Sequence, residues 1–150
     1  MTLLNLPLDM EAEETAIDIL ARTLWGEARA ESVRIKEAIA AVVLNRVCLA
    51  KQRFGKDWWG TTVVEACLAS GQFPCWRLTP EYRASLMQVP DTDPDLAVCR
   101  RIAARAVRGA LVDPTYGATH YRRPREHPLW AERRKPKARI GSFKFYQILS

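Results

Sequence analysis

The chain has 150 residues with 48% apolar content and a formal net charge of +6. A chain of this length and composition can bury one hydrophobic core, and neither property indicates a second domain. We therefore predict a single domain over residues 1–150. No stretch approaches the roughly 20 continuous apolar residues that span a bilayer, which excludes a membrane-spanning helix.

Two long helices are predicted in the first third of the chain. The first covers residues 11–28, and its apolar residues at helical spacing are Ile17, Leu20, Ala21 and Leu24. Ser32 can cap the second helix, whose broad apolar face predicts that it is the buried centre of the fold. The polar pair Asn45-Arg46 interrupts this face. Either both residues face solvent, or one of them braces the loop that holds Glu27.

Three further helices have recognisable starts. Thr62-Val63-Val64-Glu65 fits a capping box that opens a short helix ended by Gly71. A proline at the first helical position marks two more starts, at Thr79-Pro80 and at Asp93-Pro94, and the last helix is predicted to run to Leu111. Residues 54–60 form a predicted loop, in which Trp58-Trp59 either stacks on sugar rings or closes the edge of the core.

The end of the chain has a different pattern. Residues 119–121 and 143–148 are short runs rich in aromatic and branched side chains, which favour β-strands. We expect these runs to pair as a small hairpin or sheet beside a cleft. The whole pattern predicts an α+β fold that is mainly helical, with a small β element.

Glu27 is the strongest candidate for a catalytic residue, because it follows Trp25 and Gly26 at the end of the first helix. A carboxyl group flanked by Leu24 and Trp25 is expected in poorly hydrated surroundings, which disfavour its charged form and keep a proton available near neutral pH. Cleavage of a glycosidic bond needs such a proton donor. An ordinary solvated glutamate near a helix end is the alternative.

Three blocks of sequence resemble the SleB/CwlJ-type cell wall hydrolase family, best known from enzymes that degrade spore-cortex peptidoglycan. The first block covers residues 21–31 and continues through residues 39–47, and the second is Gly71-Gln72-Phe73-Pro74-Cys75-Trp76. The third begins with Ala118-Thr119-His120-Tyr121 and continues through residues 128–131, 140–141 and 145–146. The blocks occur in the family's order, and the resemblance covers about residues 18–147.

This resemblance implies a lysozyme-like or lytic transglycosylase-like domain in which the glutamate of the Gly-Glu-Ala motif, here Glu27, is the catalytic acid. The residues assigned to substrate binding are Gln72, Phe73, Thr119, His120, Tyr121 and Tyr146. The family often carries a histidine where this chain has Ser142-Phe143-Lys144. Phe145 and Tyr146 are therefore assigned only to the lining of the cleft, and a purely structural role is the alternative for His120.

The predicted reaction is cleavage of the peptidoglycan strand between N-acetylmuramic acid and N-acetylglucosamine. A lytic transglycosylase needs one glutamate as acid and then as base, whereas a muramidase-type hydrolase needs a second carboxylate. Glu31, Glu37 and Glu65 are weak candidates for that second group. No cofactor is expected.

Two other functions stay open. Gln72, Cys75 and His120 occur in an order that superficially resembles papain-like cysteine peptidases, some of whose relatives cut peptidoglycan stem peptides. The glycines and small residues typical of those peptidases are missing around Cys75. An inactive wall-binding module is the other alternative.

The cysteines and histidines give no sign of a metal site. Three of the four cysteines, which are Cys48, Cys67, Cys75 and Cys99, lie in apolar helical patterns that suit small buried thiols. There is no Cys-x-x-Cys pair, and the chain has only two histidines. We therefore expect reduced thiols and no metal.

Positive charge is concentrated between Arg122 and Arg139, and the surplus in this basic loop equals the +6 of the whole chain. The loop is either a solvated face or an attraction site for anionic wall polymers. No nucleic-acid-binding motif is found, so nucleic acid is not an expected partner. The expected partner is peptidoglycan, and the expected state is a monomer.

Residues 1–10 have neither a basic start nor a long apolar run with a cleavage site, so no secretion signal is visible. We expect this segment to be flexible or loosely attached. For an enzyme that acts on the wall, three routes then remain: release as a phage lysin through a separate pore, carriage in a virion, or removal of a leader.

Overall fold

The computed structural model describes residues 2–54, 59–69, 73–77 and 79–149, with side chains from Glu13 onward except that of Arg77. The helices of this part of the chain are α1 (Thr2–Ala28), α2 (Val33–Gln52), α3 (Val63–Leu68), α4 (Pro74–Arg77), α5 (Pro80–Gln88) and α6 (Pro94–Val107). The strands are β1 (His120–Arg122), β2 (Ala138–Ile140) and β3 (Phe143–Tyr146), and a 3-10 turn covers Leu129–Ala131. The predicted fold class, mainly helical with a small β element, is confirmed.

Four helices begin at the predicted capping residues. In each case the side-chain oxygen of the N-cap accepts a backbone N–H three residues on, which satisfies a donor that the helix itself leaves unpaired. These N-caps are Ser32, Thr62, Thr79 and Asp93. Glu65 also accepts the backbone N–H of Thr62, which completes the predicted capping box.

Helix ends differ more from the predictions. Helix α1 begins at Thr2 rather than at residue 11, because the four leucines of the preceding segment favour helix, although Pro7 does not. Helix α3 ends at Leu68, before Gly71, which lies outside the described residues. Helix α6 ends at Val107 rather than Leu111, because Gly109 adopts a positive φ of 75° and turns the chain.

Helix α2 is central, as predicted. Its alanines are almost fully buried, as are its isoleucines and all its valines except Val33, and α1 packs on α6, α3 and α2. Arg22 ties α1 to the end of α5, because its Nη1 donates to the carbonyl oxygens of Leu86 at 2.8 Å and Val89 at 2.9 Å. No helix in the described part of the chain is both long and apolar enough to cross a bilayer.

The sheet is antiparallel, with β3 in the middle and β1 and β2 at its sides. The predicted pairing of the two aromatic runs is confirmed, with Tyr121 opposite Phe145. Strand β2 was not predicted, because it has only three residues and two of them lie at the end of the basic loop. The rings of Phe143 and Phe145 lie 6.0 and 5.9 Å from that of Tyr121, which fixes β1 against the core.

Candidate active site

Glu27 lies in the last turn of α1 with only 2% of its side chain exposed. The hydroxyl of Tyr121 donates to Oε1 at 2.5 Å, and Nη2 of Arg123 donates to the same oxygen at 3.1 Å. The backbone N–H of Cys75 donates to Oε2 at 3.1 Å. The carboxyl group is therefore held by three donors from two distant parts of the chain.

The two carboxyl oxygens of Glu27 accept different numbers of hydrogen bonds. Each oxygen offers about two acceptor positions. Oε1 receives two hydrogen bonds, whereas Oε2 receives one, from the backbone of Cys75. Counting the donors among the described residues, Oε2 is thus the oxygen that can accept one more hydrogen bond.

Tyr121 is a permanent donor to this carboxyl group. Burial and then the negative charge of Glu27 raise the pKa of Tyr121 well above its ordinary value. The hydroxyl therefore keeps its proton throughout the neutral range.

Arg123 supplies the counter-charge. Burial by itself lowers the pKa of Arg123, but the neighbouring Tyr121 and Glu27 outweigh burial, so the pKa lies above the ordinary value. Its Nη2 also donates to the backbone oxygen of Glu27 at 2.7 Å, where a cation suits the carboxyl end of a helix. Its Nη1 lies 3.6 Å from Oε2 of Glu126. One guanidinium thus joins the end of α1 to the basic loop.

Trp25 does not surround the carboxyl group as predicted. Its indole N–H donates to Asp93 at 3.0 Å, and Arg29 lies over its ring at 4.2 Å. Residues two positions apart on a helix point to different sides, which explains the difference. Burial of Glu27 is confirmed, but polar donors line its immediate surroundings.

Gly26 allows α1 to approach α4. A Cβ at position 26 would lie 2.7 Å from Cβ and 2.9 Å from Sγ of Cys75. These separations are closer than side-chain carbons tolerate. The absence of a side chain at Gly26 therefore brings the backbone N–H of Cys75 within reach of Glu27.

An open groove of about 450 Å³ contains this carboxyl group. Its walls combine aromatic rings with charged groups, and the lining residues are Glu27, Arg46, Phe73, Pro74, His120, Tyr121, Arg123, Glu126, His127, Pro128 and Trp130. Four of the predicted site residues line this groove: Glu27, Phe73, His120 and Tyr121. Gln72 lies outside the described residues.

Thr119 and Tyr146 occupy other positions. Thr119 is buried behind the groove, where its hydroxyl accepts the backbone N–H of Ile148 at 3.0 Å and bonds to Nδ1 of His120 at 2.9 Å. Tyr146 lies beyond Trp130, with ring centroids 5.3 Å apart, and its hydroxyl accepts from Nε of Arg122 at 3.0 Å. Thr119 orients His120, and Tyr146 belongs to a neighbouring pocket.

His120 presents a neutral aromatic surface to the groove. Burial, followed by the charges of Arg46 and Arg134, lowers the pKa of His120 to about 4. The imidazole is therefore uncharged at neutral pH, and its ring lies 4.9 Å from that of Trp130. It is both a structural histidine and a wall of the groove.

Asn45 and Arg46 take neither of the two predicted roles: they do not form a solvent-facing pair, and their hydrogen bonds go to the segment of residues 113–119 rather than to the loop that holds Glu27. Asn45 donates to Asp113 at 3.0 Å and to the backbone oxygen of Ala118 at 2.9 Å. Arg46 donates from Nε to the backbone oxygen of Thr119 at 2.6 Å. The pair braces the segment that leads into β1.

The sequence missed several groove residues. Arg123 was counted with the basic loop, yet it follows Tyr121 by two positions, and alternation along a strand places such residues on one face. Glu126 also lines the groove, with 48% of its side chain exposed. Of the earlier candidates for a second carboxylate, Glu65 caps α3 and Glu37 pairs with Arg105.

The rest of the basic loop borders a second pocket of about 530 Å³. Its lining includes Arg122, Arg134, Lys135, Arg139 and Lys144, with Glu132 as the acidic member. The two pockets share His127 and Pro128. The basic loop is therefore partly built into the walls of both pockets.

The cysteines are all unpaired thiols, and Cys48 is the exposed one. Burial and then the charge of Glu27 raise the pKa of Cys75, which disfavours a nucleophilic thiolate. Among the described residues, no group of three or more His, Cys, Asp or Glu side chains is placed to hold a metal ion.

Comparisons with known proteins identify the family of this chain. A family described as Cell Wall Hydrolase matches residues 30–146, a range that begins just after Glu27. The fold is similar to the crystal structure of the catalytic domain of the Bacillus cereus SleB protein, with 23% sequence identity and a TM-score of 0.66, over 89% of this chain and 91% of that one. Curated proteins gave no match. Because the family match spans most of the sequence, the chain belongs to the cell wall hydrolase family, and that family supports an enzyme that acts on peptidoglycan.

Proposed function

We propose that the protein is a lytic transglycosylase that cleaves glycan strands of peptidoglycan between N-acetylmuramic acid and N-acetylglucosamine. The observation that carries this proposal is the buried carboxyl group of Glu27 in an aromatic groove, with one acceptor position left on Oε2. His120, Tyr121 and Trp130 are partly exposed and form walls against which sugar rings can pack, whereas Phe73 is buried and stacks on Tyr121.

In the first step Glu27 gives its proton to the glycosidic oxygen, and the bond from that oxygen to C1 of N-acetylmuramic acid breaks. In the second step Glu27 takes the proton from the 6-hydroxyl of the same sugar, whose oxygen forms a bond to C1. The products are a 1,6-anhydro end and a free N-acetylglucosamine 4-hydroxyl. No water is consumed, and Glu27 ends protonated as it began.

The neighbours of Glu27 have defined parts in this scheme. Tyr121 and Arg123 fix Oε1 and stabilise the carboxylate between the two steps. The proton passes through Oε2, which the backbone of Cys75 positions. Mass spectrometry of the released fragments tests the proposal directly, because anhydro ends weigh one water less than hydrolysed ends.

A muramidase-type hydrolase is the second candidate, because Glu126 shares the groove with Glu27. Glu126 is half exposed, however, and its Oε1 accepts the backbone N–H of Arg123 at 2.9 Å. These contacts suit a group that supports Arg123 better than one that activates water.

We expect Glu126→Gln to retain activity within about threefold of the parent, because glutamine keeps an oxygen for the backbone N–H of Arg123. Loss of a catalytic base would instead cost roughly a hundredfold or more. The measurement is the rate of fragment release, together with the proportion of anhydro ends. A hundredfold loss with reducing ends in the remaining product would establish the hydrolase instead.

Cys75→Ala is expected to leave most of the activity, because alanine keeps the backbone N–H that donates to Oε2 of Glu27 and the thiol is buried. Iodoacetamide should modify exposed Cys48 without inhibiting the enzyme. Cys48→Ala serves as the control for that modification. An inactive Cys75→Ala protein that keeps its native circular dichroism spectrum would favour the cysteine peptidase.

A further inference from the structure

Arg46 carries an unsatisfied donor inside the molecule. Only 5% of the residue is exposed, and its Nε bonds to the backbone oxygen of Thr119. Its Nη1 is buried and has no hydrogen-bond partner among the described residues. The side chain also lines the groove that contains Glu27.

The guanidinium of Arg46 is charged and held in place. Burial lowers its pKa to about 10, which still leaves it protonated at neutral pH. It lies 5.4 Å from the ring centroid of Trp59 and 5.7 Å from that of Phe73. The indole N–H of Trp59 donates to the backbone oxygen of Arg46 at 2.9 Å, so the residue is anchored at both ends.

A buried donor without a partner is unfavourable, and each one in a native protein calls for an explanation, such as strain, a catalytic role, or a bound water or ion. No acidic side chain pairs with Arg46 among the described residues. Arg46 therefore places in the wall of the groove a cation with one unpaired N–H, and this N–H has to turn toward the groove to reach an acceptor on a ligand.

We propose that Nη1 of Arg46 donates to a carbonyl oxygen of the bound glycan and thereby sets the position of the sugar relative to Glu27. This inference rests on the proposed glycan substrate. The guanidinium of Arg46 would repel the positive charge that develops at C1 of the sugar during bond cleavage. We therefore expect it to contact an acceptor oxygen elsewhere on the glycan. Amide carbonyls are stronger acceptors than the sugar hydroxyls.

Two carbonyl groups of a peptidoglycan strand have this chemistry. One belongs to the acetamido group of either sugar, and the other belongs to the lactyl group of N-acetylmuramic acid. Chitotetraose contains only the acetamido carbonyl, whereas a glycan strand of peptidoglycan contains both. Comparison of the two ligands therefore distinguishes the sources.

The test uses protein in which Glu27→Gln prevents turnover, so that binding is measured by calorimetry without product formation. Adding Arg46→Lys should weaken binding of glycan strands at least tenfold. An equal loss with chitotetraose assigns the acetamido carbonyl, and a loss confined to peptidoglycan strands assigns the lactyl carbonyl. Unchanged affinity for both ligands overturns the inference.

Arg22→Lys is the matched control, because Arg22 is also buried but bonds only to protein groups on α1 and near α5. We expect it to lower the melting temperature while leaving glycan affinity unchanged. Equal losses of affinity in the Arg22 and Arg46 variants would show a general structural effect and overturn the role of Arg46. If the Glu27→Gln protein binds neither ligand, the proposed function itself fails.

A second measurement needs no substitution of Arg46. In ¹⁵N-arginine-labelled Glu27→Gln protein, the side-chain resonance of Arg46 should shift on addition of glycan strands, while that of Arg22 should not. An unshifted Arg46 resonance at saturating ligand overturns the inference, even if Arg46→Lys does not fold.

Discussion

Replacement of Glu27 with glutamine is expected to slow the release of soluble fragments from purified sacculi by about a thousandfold or more. Glutamine has nearly the same shape and keeps an oxygen that can accept from Tyr121 and Arg123. It cannot carry the proton, however, and in the proposed scheme the same side chain acts in both steps. The rate should therefore fall without loss of the helical circular dichroism spectrum.

Glu31→Gln is the matched control, because Glu31 is an exposed glutamate only four residues further along the chain, just past the end of α1. It should keep the activity of the parent protein. A Glu27→Gln protein that retains more than a tenth of the parent rate would contradict the proposed mechanism, since the remaining groove residues provide no equivalent buried acid.

Gly26→Ala is expected to lower the free energy of unfolding by about 2 kcal/mol and to reduce the catalytic rate at least tenfold. In a helix, alanine is normally more stable than glycine by about 1 kcal/mol. Here the new Cβ would lie 2.7 Å from Cβ of Cys75, so steric overlap outweighs the helical preference. Helix α4 must move, and the backbone N–H of Cys75 then leaves Oε2 of Glu27. Urea denaturation and initial rates measure the two effects.

A second substitution tests whether the effect of Gly26→Ala comes from steric overlap with the side chain of Cys75. Cys75→Gly removes the atoms that the new Cβ would meet, so Gly26→Ala should be far less harmful in a Cys75→Gly protein than in the parent. The comparison with Cys75→Gly alone accounts for the cost of a glycine in α4. Additive effects of the two changes, or a Gly26→Ala protein that is stable and fully active, would show that the close approach is unimportant.

The helix starts could be predicted because their signals are local. Ser32, Thr62, Thr79 and Asp93 each satisfy a backbone donor within three residues, whatever surrounds them. Helix ends and strand β2 were harder. The end of α6 depends on the conformation of Gly109, and β2 exists because β3 offers it a pairing edge.

Groove residues could be predicted where they lie in one of the three sequence blocks that resemble the cell wall hydrolase family. Glu27, Phe73, His120 and Tyr121 lie in the three blocks and meet in one groove. Arg123 was noticed only as a charge, and Arg46 only as half of a polar pair that faces solvent or braces the loop of Glu27, because their partners come from distant parts of the chain. The surroundings of Glu27 were misjudged for the same reason, since its sequence neighbour Trp25 turns toward α6.

The hydrogen bonds of Glu27 span long stretches of sequence: 48 residues to Cys75, 94 to Tyr121 and 96 to Arg123. During synthesis the ribosome releases the glutamate long before it releases the tyrosine and arginine that hold it. A nascent chain that stops short of Arg123 has the acid but not its support. The hydrogen bonds that hold Glu27 can therefore all form only after Arg123 has been added to the chain.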